Sequence, residues 1–439
     1  MGSKTVRKTL KKSSSKTSRS KKISRRNTSK QSVYVSKKRT SKKVKYNTSF
    51  LNRIPDNVSD TDYMHKSNIV KAARKIFNKL ALYDEVICCA QMQSGKTDVM
   101  KRLIYIIKNY RNDLDKMGIN VSRNNIYLVI CASSVNLKNQ LEKKLPEIRG
   151  KIFHLNNLIP LIKNKFEHEN LLNCMSDSSL IIYDECHCDA KQKSLIDNFR
   201  NLLDTTAQRN YTNYLRVGFS ATPYEQIKAG YPRVIMHPDS GYYGIVQMFE
   251  SMIKQGSGDS IVIRQSKDIR EKDECIDLFT EITIENYYYI FRLPKYYCYD
   301  IIINNIEKEF TKRGFKVDSY IYDMAYSDDI NYMISSKPRK PTIIYIKDKL
   351  RMGEYLNTEY VYMVHDDSNN SHSHTTVQSL LGRCCGYNKK NNQTIIYCDI
   401  VKAWQHYKWI INKYSVKTIP TDAKYINNET GKTSNACIY

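Results

Sequence analysis

Apolar residues fall into short unbroken runs separated by stretches of helical period. Val86 to Ala90, Asn125 to Cys131, Ser179 to Tyr183 and Leu215 to Phe219 are four such runs in the first half. Runs of this length without alternation are the pattern of strands buried on both faces. Before the first run, Ile69, Val70, Ala73, Ile76, Phe77 and Leu80 share one face of a helix. After it, Val99, Leu103, Ile106, Ile107 and Tyr110 do the same, and a further helix runs from Leu137 through Leu145. From about residue 240 the alternation starts again. Ile261 to Arg264, Tyr287 to Arg292, Phe315 to Tyr322, Thr342 to Ile346 and Thr394 to Cys398 read as strands. Tyr299 to Phe310 reads as a helix that Gly314 stops. Strands alternating with helices predict α/β domains with parallel sheets. The expected division is a basic arm over 1–50, domains over 51–238 and 239–415, and a loose polar tail over 416–439.

Charge changes the picture at the N-terminus. The chain has 439 residues and a net charge of +27, and residues 1–50 carry 18 Lys and Arg with no Asp or Glu. So basic and so poor in apolar residues, this arm cannot offset its chain entropy and is expected to be disordered. Its partner by charge is an acidic polymer, and the expected partner is nucleic acid, RNA or DNA, held by backbone contacts without sequence preference. A nuclear-import tag or a solubilising tail are the other readings of the same charge.

The 12 cysteines include no Cys-x-x-Cys pair, and several lie in apolar runs. That is the usage of a reducing, intracellular compartment. No stretch has the ~18 apolar residues of a membrane span, and no hydrophobic signal core opens the chain. A membrane partner is not expected. Abundant Asn, Lys, Ile and Tyr with scarce Gly and Pro point to an AT-rich genome.

Candidate chemistry sits where the first strand ends. Ala90, Gln91, Met92, Gln93, Ser94, Gly95, Lys96 and Thr97 form a polar loop between a strand and a helix. That is the context of a phosphate-binding loop, with backbone N–H groups and the helix dipole facing an anion. Gly95 lets the backbone approach, Lys96 reaches the outer phosphates, and the Thr97 hydroxyl holds Mg²⁺. Asp184 follows the third apolar run, as a Mg²⁺-binding carboxylate must, and adjacent Glu185 is placed to orient or deprotonate a water.

With these residues in view, the chain resembles superfamily 2 helicases and translocases over residues 86–387. AQMQSGKT at Ala90 to Thr97 is similar to the DEAD-box form of motif I, AxTGSGKT, with Met92 and Gln93 in place of Thr and Gly. Ile130 to Leu141 is similar to motif Ia. Asp184-Glu185-Cys186-His187 is the DExH form of motif II. Ser220-Ala221-Thr222 is motif III, which the resemblance implies couples hydrolysis to strand binding. Lys349 to Gly353 falls where motif V belongs. Gln378 to Arg383 resembles motif VI, the source of an arginine finger.

The resemblance implies two RecA-like domains with ATP in the cleft between them. Lys96, Thr97, Asp184 and Glu185 would come from the first domain, and Arg383 from the second. Gly353 and Gln378 would join the nucleotide site. Where the common motif VI has a second arginine, this chain has Gly386. Arg383 therefore acts alone, or Lys389 or Lys390 reaches in. The expected activity is an ATP-dependent helicase or translocase. The alternatives are a duplex translocase that does not separate strands, and a packaging protein with a relict ATPase fold. Gly-Arg-Cys-Cys-Gly-Tyr resembles giant-virus and phage helicase-like proteins, so a large DNA virus is the expected source. Host cytoplasm, virion or nucleus would then be its place.

Two clusters carry less. His365, Asp366, Asp367, His372 and His374 lack fixed ligand spacing and read as a solvated loop. Tyr287 to Tyr289, Tyr296, Tyr297 and Tyr299 would either stack on bases or pack in a core.

Overall fold

The apolar runs become the central strands of two sheets in the computed structural model. It describes residues 67–420 apart from 133–134, 188–194, 256–261, 295–297, 324, 327–328, 351–353, 367–372 and 388–393, and also 425–426 and 433–434. The arm, Gly353, Lys389 and Lys390 therefore lie outside the described residues.

The first sheet contains β1 (Glu85–Ala90), β2 (Ile126–Ile130), β3 (Ile152–His154), β4 (Ser179–Asp184), β5 (Tyr214–Ser220) and β6 (Arg233–Met236). All are parallel, in the order β3-β2-β4-β5-β1-β6. Successive residues of β1 point to opposite faces. Val86, Cys88 and Ala90 join one core with the helices Ser67–Leu80 and Lys96–Asn109, while Ile87 and Cys89 join another. Each fully buried side chain of this size contributes about 1.5–3 kcal/mol, which is why the central strands are apolar on both faces.

After a short β7 (Tyr242–Tyr243), the second sheet collects β8 (Ile263–Gln265), β9 (Tyr288–Arg292), β10 (Asp318–Tyr322), β11 (Thr342–Ile346) and β12 (Val361–His365). A short β13 (Gly386–Tyr387) precedes the last strand, β14 (Ile395–Cys398). The order is β10-β11-β9-β12-β14-β8, again all parallel. The α/β class expected from the alternation is what the chain adopts. Strands β3, β6 and β12 were not expected. The first two hold only three and four residues. The third is hidden beside the polar His-Asp stretch that follows it.

Tyrosines 288 and 289 are core residues at 8% and 0% exposure, which excludes them as base-stacking platforms. His365 is fully buried, stacked between Phe291 and Tyr397. That part of the His-Asp cluster is therefore core and not a solvated loop.

Two features tie the sheets together. Strands β7 and β13 pair antiparallel, and Tyr387 Oη accepts hydrogen bonds from Asp239 N at 2.9 Å and Asn68 Nδ2 at 3.4 Å. The helix Ile400–Ile411 places Ala403 and Tyr407 in the second domain's core and Trp409 in the first's. Tyr414 and Ile419 continue into that same first-domain core, so the packed chain runs past 415 into the stretch expected to be loose.

Candidate nucleotide site between the two sheets

The buried β1 delivers the chain into the loop at residues 91–95. Ser94 Oγ donates to Gln91 O at 2.7 Å and closes the turn. Gly95 sits at φ 103°, in the left-handed region, and caps the helix Lys96–Asn109. A Cβ there would stand 3.0 Å from Ile69 Cδ1 and 3.2 Å from Asp98 Oδ2. Glycine is thus favoured by φ, and any side chain would also crowd these two neighbours. Gln93 also has positive φ, 56°, at the position where the resembled motif carries glycine. Its side chain crosses to the second domain, Nε2 donating to Glu354 O at 3.2 Å.

Lys96 Nζ lies 2.6 Å from Glu185 Oε1. Burial works to lower the Lys96 ammonium pKa, but Glu185 and Asp184 outweigh it and raise it. Burial works to raise the Glu185 carboxyl, but Lys96 and His187 hold it well below the usual carboxylate range. The Asp184 carboxyl moves the other way, raised by burial and by the neighbouring Glu185 charge. Two adjacent carboxyls with opposite shifts are suited to different tasks. Glu185 takes φ 54°, another left-handed non-glycine residue, and its N–H donates to Asp184 Oδ1 at 3.1 Å.

The second domain closes the space. Arg383 is fully buried, its Nη1 donating to Glu354 O at 2.7 Å and Nη2 to Gln378 O at 2.9 Å. Burial pulls its guanidinium down to about 10, with Glu185 and Glu354 pulling it back up. Met92, Gln93, Gly95, Lys96, Thr97, Asp184, Glu185 and Arg383 line one cavity of about 570 Å³, with Lys101, Lys143 and Lys144 also on its wall. That volume lies in the range of small-molecule sites. Thr97 and Asp184, hard oxygen donors on the same cavity, fit a Mg²⁺ ion.

Gln378 has a different place. Its Nε2 lies 3.1 Å from His187 Nδ1 and bonds Thr222 Oγ1, so it meets the first domain behind the cavity and not on its wall. His187 Nδ1 is also 3.0 Å from Ser220 Oγ, which accepts from Thr222 N at 3.0 Å. Ala221 packs into the second domain's core together with Met92. Ser220, Ala221 and Thr222 thus sit at the domain junction.

Sequence reading did not single out Arg292 or Glu354, and it set Asp366 aside. Arg292 Nε is 2.8 Å from Asp366 Oδ1, and its Nη1 and Nη2 donate to the carbonyls of Lys349 and Leu350. Asp366 Oδ2 accepts from Leu380 N, at the start of the turn Leu380–Arg383. The available signal was position: Asp366 follows an apolar strand as Asp184 does.

No protein-family model matches the chain. It is 56% identical over 392 residues to the uncharacterized protein L594 of Acanthamoeba polyphaga mimivirus, covering 89% of this chain and 99% of the relative. Among solved structures, the Escherichia coli DExH-box NTPase HrpB matches with a TM-score of 0.48 at 12% identity, over 79% of this chain and 43% of that one. A second structure, of the Escherichia coli DEAH/RHA helicase HrpB, gives 0.46 at 12% identity, over 76% and 42%. This chain thus spans less than half the length of those HrpB chains. S. cerevisiae Dbp5 bound to RNA and ADP BeF3 gives 0.41 at 13% identity, over 81% of this chain and 93% of that one.

Proposed function

The chain belongs to the family of mimivirus protein L594, and for it we propose a nucleic-acid-dependent ATP hydrolase acting as a helicase or translocase. One observation carries this reading: Lys96, Thr97, Asp184 and Glu185 of the first domain and Arg383 of the second line a single cavity. Motif resemblance supplies the choice of ATP and of nucleic acid. The mimivirus relative supports the viral source expected from the Gly-Arg-Cys-Cys-Gly-Tyr resemblance.

Lys96 and the backbone N–H groups at the helix start bind the phosphates. Thr97 and Asp184 would hold Mg²⁺, which when bound supplies charge neutralisation at the terminal phosphate. Glu185, kept ionised by Lys96 and His187, is an acceptor that orients the attacking water. Arg383 brings positive charge from the opposite domain, so turnover requires both domains in place. Gln378, His187, Ser220 and Thr222 connect that arginine's segment to the carboxylate strand.

The test is ATP turnover of the full chain with single-stranded RNA, single-stranded DNA and duplex DNA side by side. Stimulated turnover that falls in Glu185→Gln while nucleotide still binds is the expected result. Arg383→Ala should lose ~10³-fold in stimulated rate and keep ATP binding. Absence of turnover under all three conditions overturns the reading in favour of a packaging protein. A fluorescent unwinding assay then separates helicase from translocase.

A further inference from the structure

The helix Ser67–Leu80 carries Lys71, Arg74, Lys75 and Lys79 and no acidic residue. Lys71, Lys75 and Lys79 recur every fourth residue, which puts them on one face, neighbours about 5–6 Å apart. Beside this helix lies β6, which pairs only with β1 among the described strands and so forms an edge of the first sheet. Lys75, Asn78 and Lys79 from the helix and Arg233 and His237 from the edge line a groove of about 400 Å³. Among the described residues, neither Lys75, Lys79 nor Arg233 makes an ion pair, although Glu85 of the same sheet pairs with Arg200 and Arg216. The groove shares no residue with the nucleotide cavity.

We propose that this groove is a second nucleic-acid contact, in which the three cations and Asn78 hold the phosphates of a strand running along the outer edge of the first domain. The proposal rests on the nucleic-acid reading above and adds a place to it. Charge selects the occupant. Three uncompensated cations around one groove repel one another and are relieved by a polyanion. The first fifty residues carry the same sign as the groove and cannot fill it. A phosphate backbone supplies anions at regular intervals to match cations at successive helical turns, with Asn78 as an added amide donor.

The experiment measures binding of fluorescent single-stranded and duplex oligonucleotides to the full-length protein across a salt series. Lys75→Glu, Lys79→Glu and Arg233→Glu are combined in one variant, all at positions with solvent exposure. A control carries the same charge change on the second domain at exposed Lys272, Lys308 and Lys316. Loss of three phosphate contacts should flatten the slope of log affinity against log salt by about 2 on single strands and about 3 on duplex. Affinity at low salt should fall ~10-fold or more, the control should fall much less, and ATP turnover without nucleic acid should not change. Wild-type binding with an unaltered slope in the groove variant overturns the groove and leaves the function standing. A wild-type chain that binds no oligonucleotide overturns both.

Discussion

Met92 and Gln93 stand where the resembled loop has Thr and Gly, and both turn toward the second domain. Met92 packs in that domain's core, its carbonyl accepts from Tyr242 Oη at 2.5 Å, and the Gln93 amide reaches Glu354 O. Opposite Met92 sits Gly382, where a Cβ would fall 2.9 Å from Met92 Cε and 2.3 Å from Val377 O. The methionine end is flexible, but the carbonyl belongs to the preceding turn and cannot yield cheaply. Gly382→Ala is therefore expected to cost about 1–3 kcal/mol in urea unfolding. Adding Met92→Ala should recover little of it, because the carbonyl clash remains. A Gly382→Ala chain with wild-type stability would mean that the chain from Val377 to Gly382 does not fold back this tightly in solution. Lys96→Ala belongs to the same scale. It removes a preorganised charge from the cavity and should lower ATP turnover by ~100-fold or more, with turnover in purified variant as the check. Lys96, Thr97, Asp184 and Glu185 were legible in sequence because each follows directly from a strand end whose chemistry is local. The bonds of Gln378 were not, because they depend on how two separately folded sheets meet.

Among the elements, the short turn that carries Arg383 is the one most dependent on distant residues. It has four residues, too few to be stable alone. Asp366 holds its first N–H through Oδ2 while Oδ1 takes the Arg292 guanidinium. Arg292 in turn fixes the carbonyls of Lys349 and Leu350, the start of the segment read as motif V. Strand ends β9 and β12 thus brace the turn that aims Arg383. Asp366→Ala leaves a guanidinium without its carboxylate and an N–H without its acceptor, a loss of about 3–5 kcal/mol. Asp366→Asn keeps the acceptor and should lose less. Equal stability of both variants to wild type, by urea titration, would remove the brace from the account. Nearly all the long strands were legible as apolar runs. Strand β12 was not, since Val361 to His365 leads into a polar His-Asp stretch that reads as a solvated loop. His365 shows the error physically: its ring is packed between two aromatic rings, and burial pushes its pKa down to about 4.

At the scale of the whole molecule, the helix Ile400–Ile411 belongs to both domains. Trp404 packs with Phe249 and Tyr407 on the second, while Trp409 packs edge-on to Tyr224 and Tyr414 on the first. These are the chain's two tryptophans, so their emission reports on both ends of one strap. The strap's polar contact with the first domain is His406, whose Nδ1 lies 2.6 Å from Tyr224 Oη. Burial alone pushes the His406 pKa down to about 3, so the docked ring is neutral and shares a hydrogen bond with the tyrosine hydroxyl. When the helix is undocked or unfolded, the imidazole titrates near its ordinary value of about 6.5. The unfolded state therefore binds the extra proton between these two values, and stability falls as pH drops below 6.5 toward 3. At ~1.4 kcal/mol per pH unit, the loss from this residue at pH 5 is about 2 kcal/mol. His406→Gln retains an acceptor for Tyr224 but cannot take up the proton. Urea unfolding followed by tryptophan emission at pH 7.5 and pH 5 should show wild type losing about 2 kcal/mol more than His406→Gln. Contributions from other groups, His365 among them, are common to both chains and cancel in the difference. Equal losses would mean the ring is already solvated in the folded protein, and that the helix does not join the two domains as a fixed strap.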